Sequence, residues 1–293
     1  MARRRPVRHT LEGMATLGLF VVLRLLPVAW ASAFGGWLAR GLGPLVPVHQ
    51  RAKRNLAQAL PDLTPKQRRE ILRAMWDNLG RVTAEYPHLG RFAPYRANSR
   101  TEVVGIERLD DAKAESKGGV FFSAHVGNWE IGALAVEGRG IPVALIYRAP
   151  NNPIVDLLIR YCRGPVAKYR VPKGPASIRN LLVWLKQGKH LAMLIDQKMN
   201  DGIAVPFFGR DAMTAPALAE LALKYDVPVY PVRVERLEGA RFRITIFPKL
   251  VLVHTGDRSA DVTAAMLQIN QMLEVWIRER PAQWLWVHKR WPD

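Results

Sequence analysis

The sequence predicts an α/β protein: a central mixed, largely parallel sheet flanked by helices, with a membrane-associated helical segment at its N-terminus. Three observations carry this expectation. From Thr101 onward, short β-like runs alternate with stretches of helical periodicity, the pattern of a sheet covered by helices on its faces. Ahead of that region a long apolar stretch follows a cluster of arginines. The chain of 293 residues is 49% hydrophobic, enough for a sizeable core and too much for a disordered state.

Taken in order, Arg3, Arg4, Arg5 and Arg8 precede the apolar stretch Leu11 to Val48, which is interrupted by Arg24, Pro27, Gly35, Gly36, Arg40 and Pro44. A spanning helix needs about 20 apolar residues, and an arginine at mid-bilayer costs roughly 2.5 to 3.5 kcal/mol. Arg24 therefore argues against a simple span, and Pro27 reads as a break between two short helices. A cleaved signal peptide ending near Ala29-Trp30-Ala31 is the competing reading, disfavoured because amphipathic apolar sequence continues past that site. Arg51, Lys53 and Arg54 form a second basic cluster, so a single span would leave one cluster outside the cell. The expectation is a bent helix pair lying at the inner face of the membrane.

Thr64-Pro65-Lys66-Gln67 supplies a cap, a first-turn proline and a capping-box partner ahead of Ile71, Leu72, Met75, Trp76 and Leu79, predicting an amphipathic helix. Strands are expected at Val120 to Ala124, Val143 to Tyr147, Leu191 to Ile195, Val227 to Val234 and Phe242 to Phe247. A last long helix carries Val262, Ala265, Met266, Ile269, Met272, Leu273, Trp276 and Ile277 at core spacing and stops before Pro281. The simplest division is a basic, apolar membrane-binding segment at 1–48 and a catalytic domain at 49–293.

Lys plus Arg number 43 against 25 Asp plus Glu, a net charge of +18 that calls for an anionic partner: nucleic acid, anionic lipid or an acidic protein. With no recognition-helix or RNA-binding signature, nucleic acid is not expected; a non-catalytic basic membrane-binding protein is the alternative outside enzymology. The single cysteine, Cys162, rules out an intrachain disulfide and fits a reducing compartment. No Cys and His cluster has metal-ligand spacing and no glycine-rich nucleotide loop is present, so neither a metal nor a cofactor is expected.

The most informative stretch runs from Gly118 to Glu130 and reads as a buried strand, a tight turn and a helix start. With His125 at the strand end and Glu130 in the first helical turn, the loop brings the two together, and Asn128 caps the helix. A histidine oriented by a carboxylate keeps one ring nitrogen free to take a proton. Ser123 lacks a nucleophile elbow, and nothing near Cys162 marks an activated thiolate. A lone His and Glu at this spacing is more often a satisfied strand-end pair than a catalytic one.

The remaining motifs change that balance. Tyr147-Arg148-Ala149-Pro150-Asn151-Asn152-Pro153, Asp196-Gln197, Val205-Pro206-Phe207-Phe208-Gly209 with Thr214, and Gln283-Trp284-Leu285-Trp286-Val287-His288-Lys289-Arg290 follow in order. Together with the His125 motif they closely resemble the bacterial late acyltransferases of lipid A biosynthesis, over nearly the whole chain. The resemblance implies transfer of a fatty acyl group from acyl carrier protein to a hydroxyl of an anionic lipid A precursor, at the cytoplasmic face of the bacterial inner membrane. It maps the catalytic pair onto His125 and Glu130 and an arginine after the second motif onto Arg163, with Arg160 on the same stretch. Glu130 and the Val205 to Gly209 loop stand where the broader glycerolipid acyltransferases usually have Asp and Pro-Glu-Gly, which favours the lipid A branch; a related glycolipid or lysophospholipid acyltransferase using acyl-coenzyme A is the runner-up.

Beyond the pair, Arg148 and Arg163 have the planar guanidinium for phosphate or pantetheine phosphate, with a structural ion pair as the plain alternative. Asp196 reads as a support for a loop or an arginine, with Gln197 assisting. Phe207 and Phe208 read equally as acyl-channel lining or as hydrophobic plugs. His288 reads as a packing or membrane-surface residue. Arg160, Arg163, Lys168 and Arg170 form a basic stretch suited to an acidic carrier protein or to a solvated face.

Overall fold

The computed structural model describes residues 4–115, 117–147, 150–172 and 175–291. Its helices are α1 (Arg4–Leu25), α2 (Val28–Leu42), α3 (Val48–Ala59), α4 (Pro65–Glu85), α5 (Ile106–Ala114), α6 (Gly132–Gly138), α7 (Pro153–Cys162), α8 (Pro175–Lys186), α9 (Ala217–Tyr225) and α10 (Arg258–Glu279). The strands are β1 (Thr101–Val104), β2 (Val120–Ser123), β3 (Val143–Tyr147), β4 (Tyr169–Pro172), β5 (His190–Leu194), β6 (Lys198–Phe207), β7 (Arg210–Thr214), β8 (Val229–Arg236) and β9 (Phe242–Ile246).

Seven strands form one sheet in the order β1-β9-β8-β2-β5-β3-β4, and β6 and β7 form a separate hairpin. Among the described residues, only the β8–β9 pairing in the large sheet is antiparallel. The expected largely parallel sheet is therefore present. Its central strand shows why it forms: Val120 and Phe122 enter one core layer and Phe121 the other, the period-two signature of a strand buried on both faces. One layer joins β2 and β5 to α3, α4, α9 and α10, and the other joins β8 and β9 to α5 and α6.

The capping box at Thr64 and Gln67 starts α4 as expected, with both reciprocal bonds made. The expected strand cores at 120, 143, 191, 229 and 242 all occur, with ends shifted by a residue or two. Strands β1 and β4 and the β6–β7 hairpin went unpredicted. Each of the first two is four residues long at or near a sheet edge, and the hairpin carries Pro206 inside a strand, which weakens a strand reading.

The apolar N-terminal stretch does break at Pro27, which stands just before α2. Among the described residues no helix is long and apolar enough to cross a membrane. Helix α2 is packed along α4 through a pair of glycines: a Cβ on Gly80 would stand 2.1 Å from the Gly35 carbonyl oxygen, and one on Gly35 2.4 Å from that of Gly80. Ser32 on α2 also donates to the buried Glu85 at 2.6 Å. A boundary at residue 48 thus falls within a packed helical layer.

Candidate active site

The site stands at the carboxyl ends of neighbouring parallel strands, where open α/β sheets commonly place ligands. In the β2–β5 register Ser123 faces Leu194, so two residues further on His125 and Asp196 emerge side by side. Asp196 Oδ1 accepts from His125 Nδ1 at 2.7 Å, and Oδ2 accepts from the His125 backbone N–H at 2.9 Å and from Trp284 Nε1 at 2.8 Å. Asp196 is fully buried. Burial pushes its carboxyl up, but the His125 charge and hydrogen bonds, with His288 behind them, hold it well below the usual carboxylate value. An ionised Asp196 fixes the proton on Nδ1, which leaves the Nε2 lone pair of His125 facing outward toward the Gln197 amide nitrogen at 3.3 Å.

Backbone geometry secures this placement. Gly127 has φ +61°, and a Cβ there would meet the Val234 carbonyl oxygen at 2.4 Å. Val126 forms an antiparallel bridge with Trp284, and the Gly127 N–H donates to the Gln283 carbonyl at 3.1 Å. The turn is therefore clamped to the C-terminal segment.

Glu130 lies elsewhere than expected. The carboxylate on the His125 ring is that of Asp196, while Glu130 Oε2 accepts from Arg163 Nε at 2.6 Å and Oε1 from Arg163 Nη2 at 2.6 Å and Tyr86 OH at 2.5 Å. The local reason is the short 3₁₀ turn Trp129–Ile131, capped by Asn128, which turns Glu130 toward α4 and the end of α7. Burial raises the Glu130 carboxyl, yet the Arg163 bonds and charge overcome this and keep it lowered; the His125 charge adds to the same effect. Arg163 is consequently a bidentate partner of a buried carboxylate. It also lies over the Tyr147 ring at 5.7 Å.

The other expected site residues divide. Asn128 is buried and donates to Glu85 Oε2 at 2.8 Å, and Arg236 completes that network with bonds of 2.6 and 3.0 Å to the same carboxylate. Arg148 lies outside the described residues. Phe207 and Phe208 are buried in an aromatic cluster, Phe207 against Trp284 and Trp291 and Phe208 against Trp286, so they fill space behind the turn. Thr214 accepts from the buried Arg290 at 2.8 Å. Cys162 is buried and its thiol is pushed up to about 11, chiefly by desolvation, which keeps it protonated.

His288 departs most from expectation. Its ring centroid stands 4.7 Å from that of His125 in an edge-on contact, and its Nε2 is buried without a partner among the described residues. Burial, with the His125 charge second, pushes it down to about 4, so the ring is neutral near pH 7. Donor atoms of His125, Asp196 and His288 lie within 4.8 Å of one another, a grouping that sequence spacing alone did not reveal. The three N–H donors already on Asp196 arrange it for hydrogen bonding.

A buried carboxylate, an oriented imidazole and an outward-facing Nε2 form the apparatus of a general base. The chain matches the family described as bacterial lipid A biosynthesis acyltransferase over residues 1–293. It is 24% identical over 281 residues to a lipid A biosynthesis acyltransferase of Haemophilus influenzae, covering 92% of this chain and 85% of the relative. It is 27% identical over 265 residues to the lipid A biosynthesis lauroyltransferase of Escherichia coli K12, covering 86% and 83%. A phosphatidylinositol mannoside acyltransferase of Mycolicibacterium smegmatis is 22% identical over 281 residues, covering 92% and 88%. On this match, which spans its full sequence, the chain belongs to the bacterial lipid A biosynthesis acyltransferase family.

Proposed function

We propose that the protein transfers a fatty acyl chain from acyl carrier protein to a hydroxyl of a lipid A precursor, with His125 as the general base. The observation that carries this reading is the His125–Asp196 pair, because Nε2 is the one ring nitrogen left for the acceptor hydroxyl. His125 Nε2 takes the hydroxyl proton as the oxygen attacks the thioester carbonyl. The thiolate of the carrier then leaves as the tetrahedral intermediate collapses, and the proton on His125 passes to it. Asp196 stabilises the imidazolium formed in between. Glu130 acts on the same centre at longer range: its negative charge favours the imidazolium, and its bonds to Arg163 and Tyr86 hold the wall beside it.

The membrane role assigned to residues 1–48 is supported by the exposed faces of α1 and α2. Leu11, Met14, Val21, Val22 and Leu25 share one side of α1, and Trp30, Phe34, Trp37 and Leu38 one side of α2, all exposed. Apolar outer faces with two tryptophans suit burial at a lipid headgroup boundary, with both helices lying in the surface of the inner membrane on its cytoplasmic side. The net charge of +18 favours the anionic membrane and an acidic carrier protein alike.

Mass spectrometry of products from a lipid A precursor, with acyl carrier protein and acyl-coenzyme A donors compared over a salt series, tests the reading. Salt-sensitive transfer from the carrier protein, with the coenzyme thioester a poor substitute, supports it. Equal use of both donors with no salt dependence removes the carrier protein. The second reading, transfer from acyl-coenzyme A to another glycolipid or a lysophospholipid, is favoured by the likeness to a phosphatidylinositol mannoside acyltransferase; comparing acceptors decides between them.

A further inference from the structure

Arg24, which interrupts the apolar N-terminal stretch, stands near the end of α1 beside a cavity of about 300 Å³. The cavity lies between that helix end, the 3₁₀ turn Tyr86–Phe92 and the end of α7. Arg24 and Arg91 line it together with His88 and Tyr161, and no acidic side chain stands in its wall among the described residues. We propose that this cavity binds the phosphate of a membrane phospholipid headgroup.

The two arginines come from separate elements, and among the described residues neither is engaged by a carboxylate. Exposed arginines are ordinarily solvated; here both stand on one concavity and act on one buried ring. His88 is buried, its Nε2 donates to the Leu23 carbonyl at 2.9 Å, and its Nδ1 has no partner among the described residues. Burial, and after it the charges of Arg91 and Arg24, hold that ring below its ordinary value, against the opposing effects of the Leu23 bond and of Glu85. Glu85 is already bound by Arg236, Asn128 and Ser32, so the cavity keeps a positive potential. The Arg24 charge also reaches the Cys162 thiol in the same wall. Guanidinium forks match the oxygens of a phosphate, and an anion between two cations relieves their mutual repulsion.

The surroundings of the cavity select a lipid as the carrier of that phosphate. Helix α7 lies along α1: Asn152 Nδ2 donates to the His9 carbonyl at 2.7 Å, a Cβ on Gly13 would stand 2.6 Å from Ile154 Cδ1, and the Phe20 and Tyr161 rings meet edge-on with centroids 6.1 Å apart. Leu157 and Tyr161, one turn apart on α7, are exposed, as are Val21, Val22 and Leu25 on α1. The apolar outer face of α1 therefore continues onto α7 at the edge of the cavity. A volume of about 300 Å³ is at the small end of ligand sites and suits a headgroup, with the acyl chains left against the apolar face outside. Arginine stems follow such apolar surface while their charges stay at the level of the headgroups. The membrane as source rests on the placement of α1 and α2 at the lipid surface proposed above; the affinity of the cavity for a phospholipid headgroup does not.

The test uses the full-length protein, the double variant Arg24→Gln/Arg91→Gln, and Arg241→Gln/Arg258→Gln as a control with the same loss of charge at two exposed arginines. Arg24 and Arg91 are themselves exposed, so the double variant should melt like wild type when no ligand is present. In a maltoside detergent, melting is followed with dihexanoyl phosphatidylglycerol below its micelle concentration and with inorganic phosphate at the same concentration. We expect the lipid to raise the melting temperature of wild type and control but not of the Arg24/Arg91 variant, and inorganic phosphate to give roughly a third of that rise or less. Sedimentation then uses vesicles of neutral digalactosyl diacylglycerol carrying equal mole fractions of phosphatidylglycerol or of dioleoylglycerol hemisuccinate, an anionic lipid without phosphate. Wild type and control should bind the phosphatidylglycerol vesicles about tenfold more tightly, and the Arg24/Arg91 variant should lose that preference. Equal melting rises with lipid and inorganic phosphate assign a free anion and overturn the lipid proposal. A melting rise or vesicle preference that the Arg24/Arg91 variant keeps overturns the site. A melting response to the lipid with no vesicle binding by wild type removes the membrane placement of α1 and α2 and leaves the headgroup site standing.

Discussion

Asp196→Asn is the sharpest perturbation of the proposed base. The side chain keeps its size, but the amide loses the charge and can no longer accept from His125 Nδ1, the His125 backbone N–H and Trp284 Nε1 together, as the carboxylate does at 2.7, 2.9 and 2.8 Å. If its nitrogen turns to the ring, it donates to Nδ1 and forces the proton onto Nε2, the atom that must accept one. A hydrogen bond to a charged group contributes about 1.5 to 3 kcal/mol. Adding the wrong tautomer gives a barrier increase of roughly 4 to 5 kcal/mol, or about 10³ to 10⁴ in turnover. The assay is the initial rate of acyl transfer beside a melting curve of the same preparation. A folded Asp196→Asn protein within about threefold of wild-type turnover would show that Asp196 does not set the His125 tautomer, and the assignment would fail.

Four further outcomes follow from the same contacts. Glu130→Gln should lose less turnover than Asp196→Asn but more stability, about 3 to 5 kcal/mol, because it leaves the partly buried Arg163 without its counter-charge; chemical denaturation measures this. His190 and His288 are each held near 4 by burial, so both are neutral when folded and protonate on unfolding below their ordinary value of 6.5. Stability should accordingly fall as pH drops from about 6.5 toward 4, on the order of 2 kcal/mol for each, and His190→Phe should flatten that part of the curve. The lowered Asp196 and Glu130 contribute stability that is complete above their ordinary values and lost only as pH falls through the lower folded ones, a second acid limb below that of the histidines. Replacing Leu25, Trp30 and Trp37 with serine should reduce binding to anionic vesicles by about 10²-fold or more while leaving the melting temperature nearly unchanged, since all three are exposed.

Much of the scaffold was legible because it rests on local pattern. The period-two apolar runs of β2, β3, β5, β8 and β9, the capping box of α4 and the heavy apolar stripe of α10 each declare themselves within a few residues. The site was legible only where it is local. His125 is visible at the end of β2, but its carboxylate comes from the end of β5, and only the register of two parallel strands brings them together. Glu130, placed by the turn pattern and the family resemblance as the partner of the ring, is instead engaged by Tyr86 and Arg163 in the fold. Arg163, expected to meet phosphate, is already held by that carboxylate. His288 needed the Val126–Trp284 bridge to arrive beside His125, and no feature of its own neighbourhood signals that pairing. The pairing of Arg210 with Gln58 across a hairpin and a helix was invisible for the same reason.

In the proposed reaction His125 Nε2 removes the acceptor proton during acyl transfer. Mass spectrometry of a lipid A precursor incubated with acyl carrier protein donor and either wild type or His125→Ala tests it most directly, with a melting curve to establish that the variant is folded. One added acyl chain is expected with wild type and, with His125→Ala, a rate lower by about 10³-fold or more. Wild-type product formation by the folded variant would contradict it.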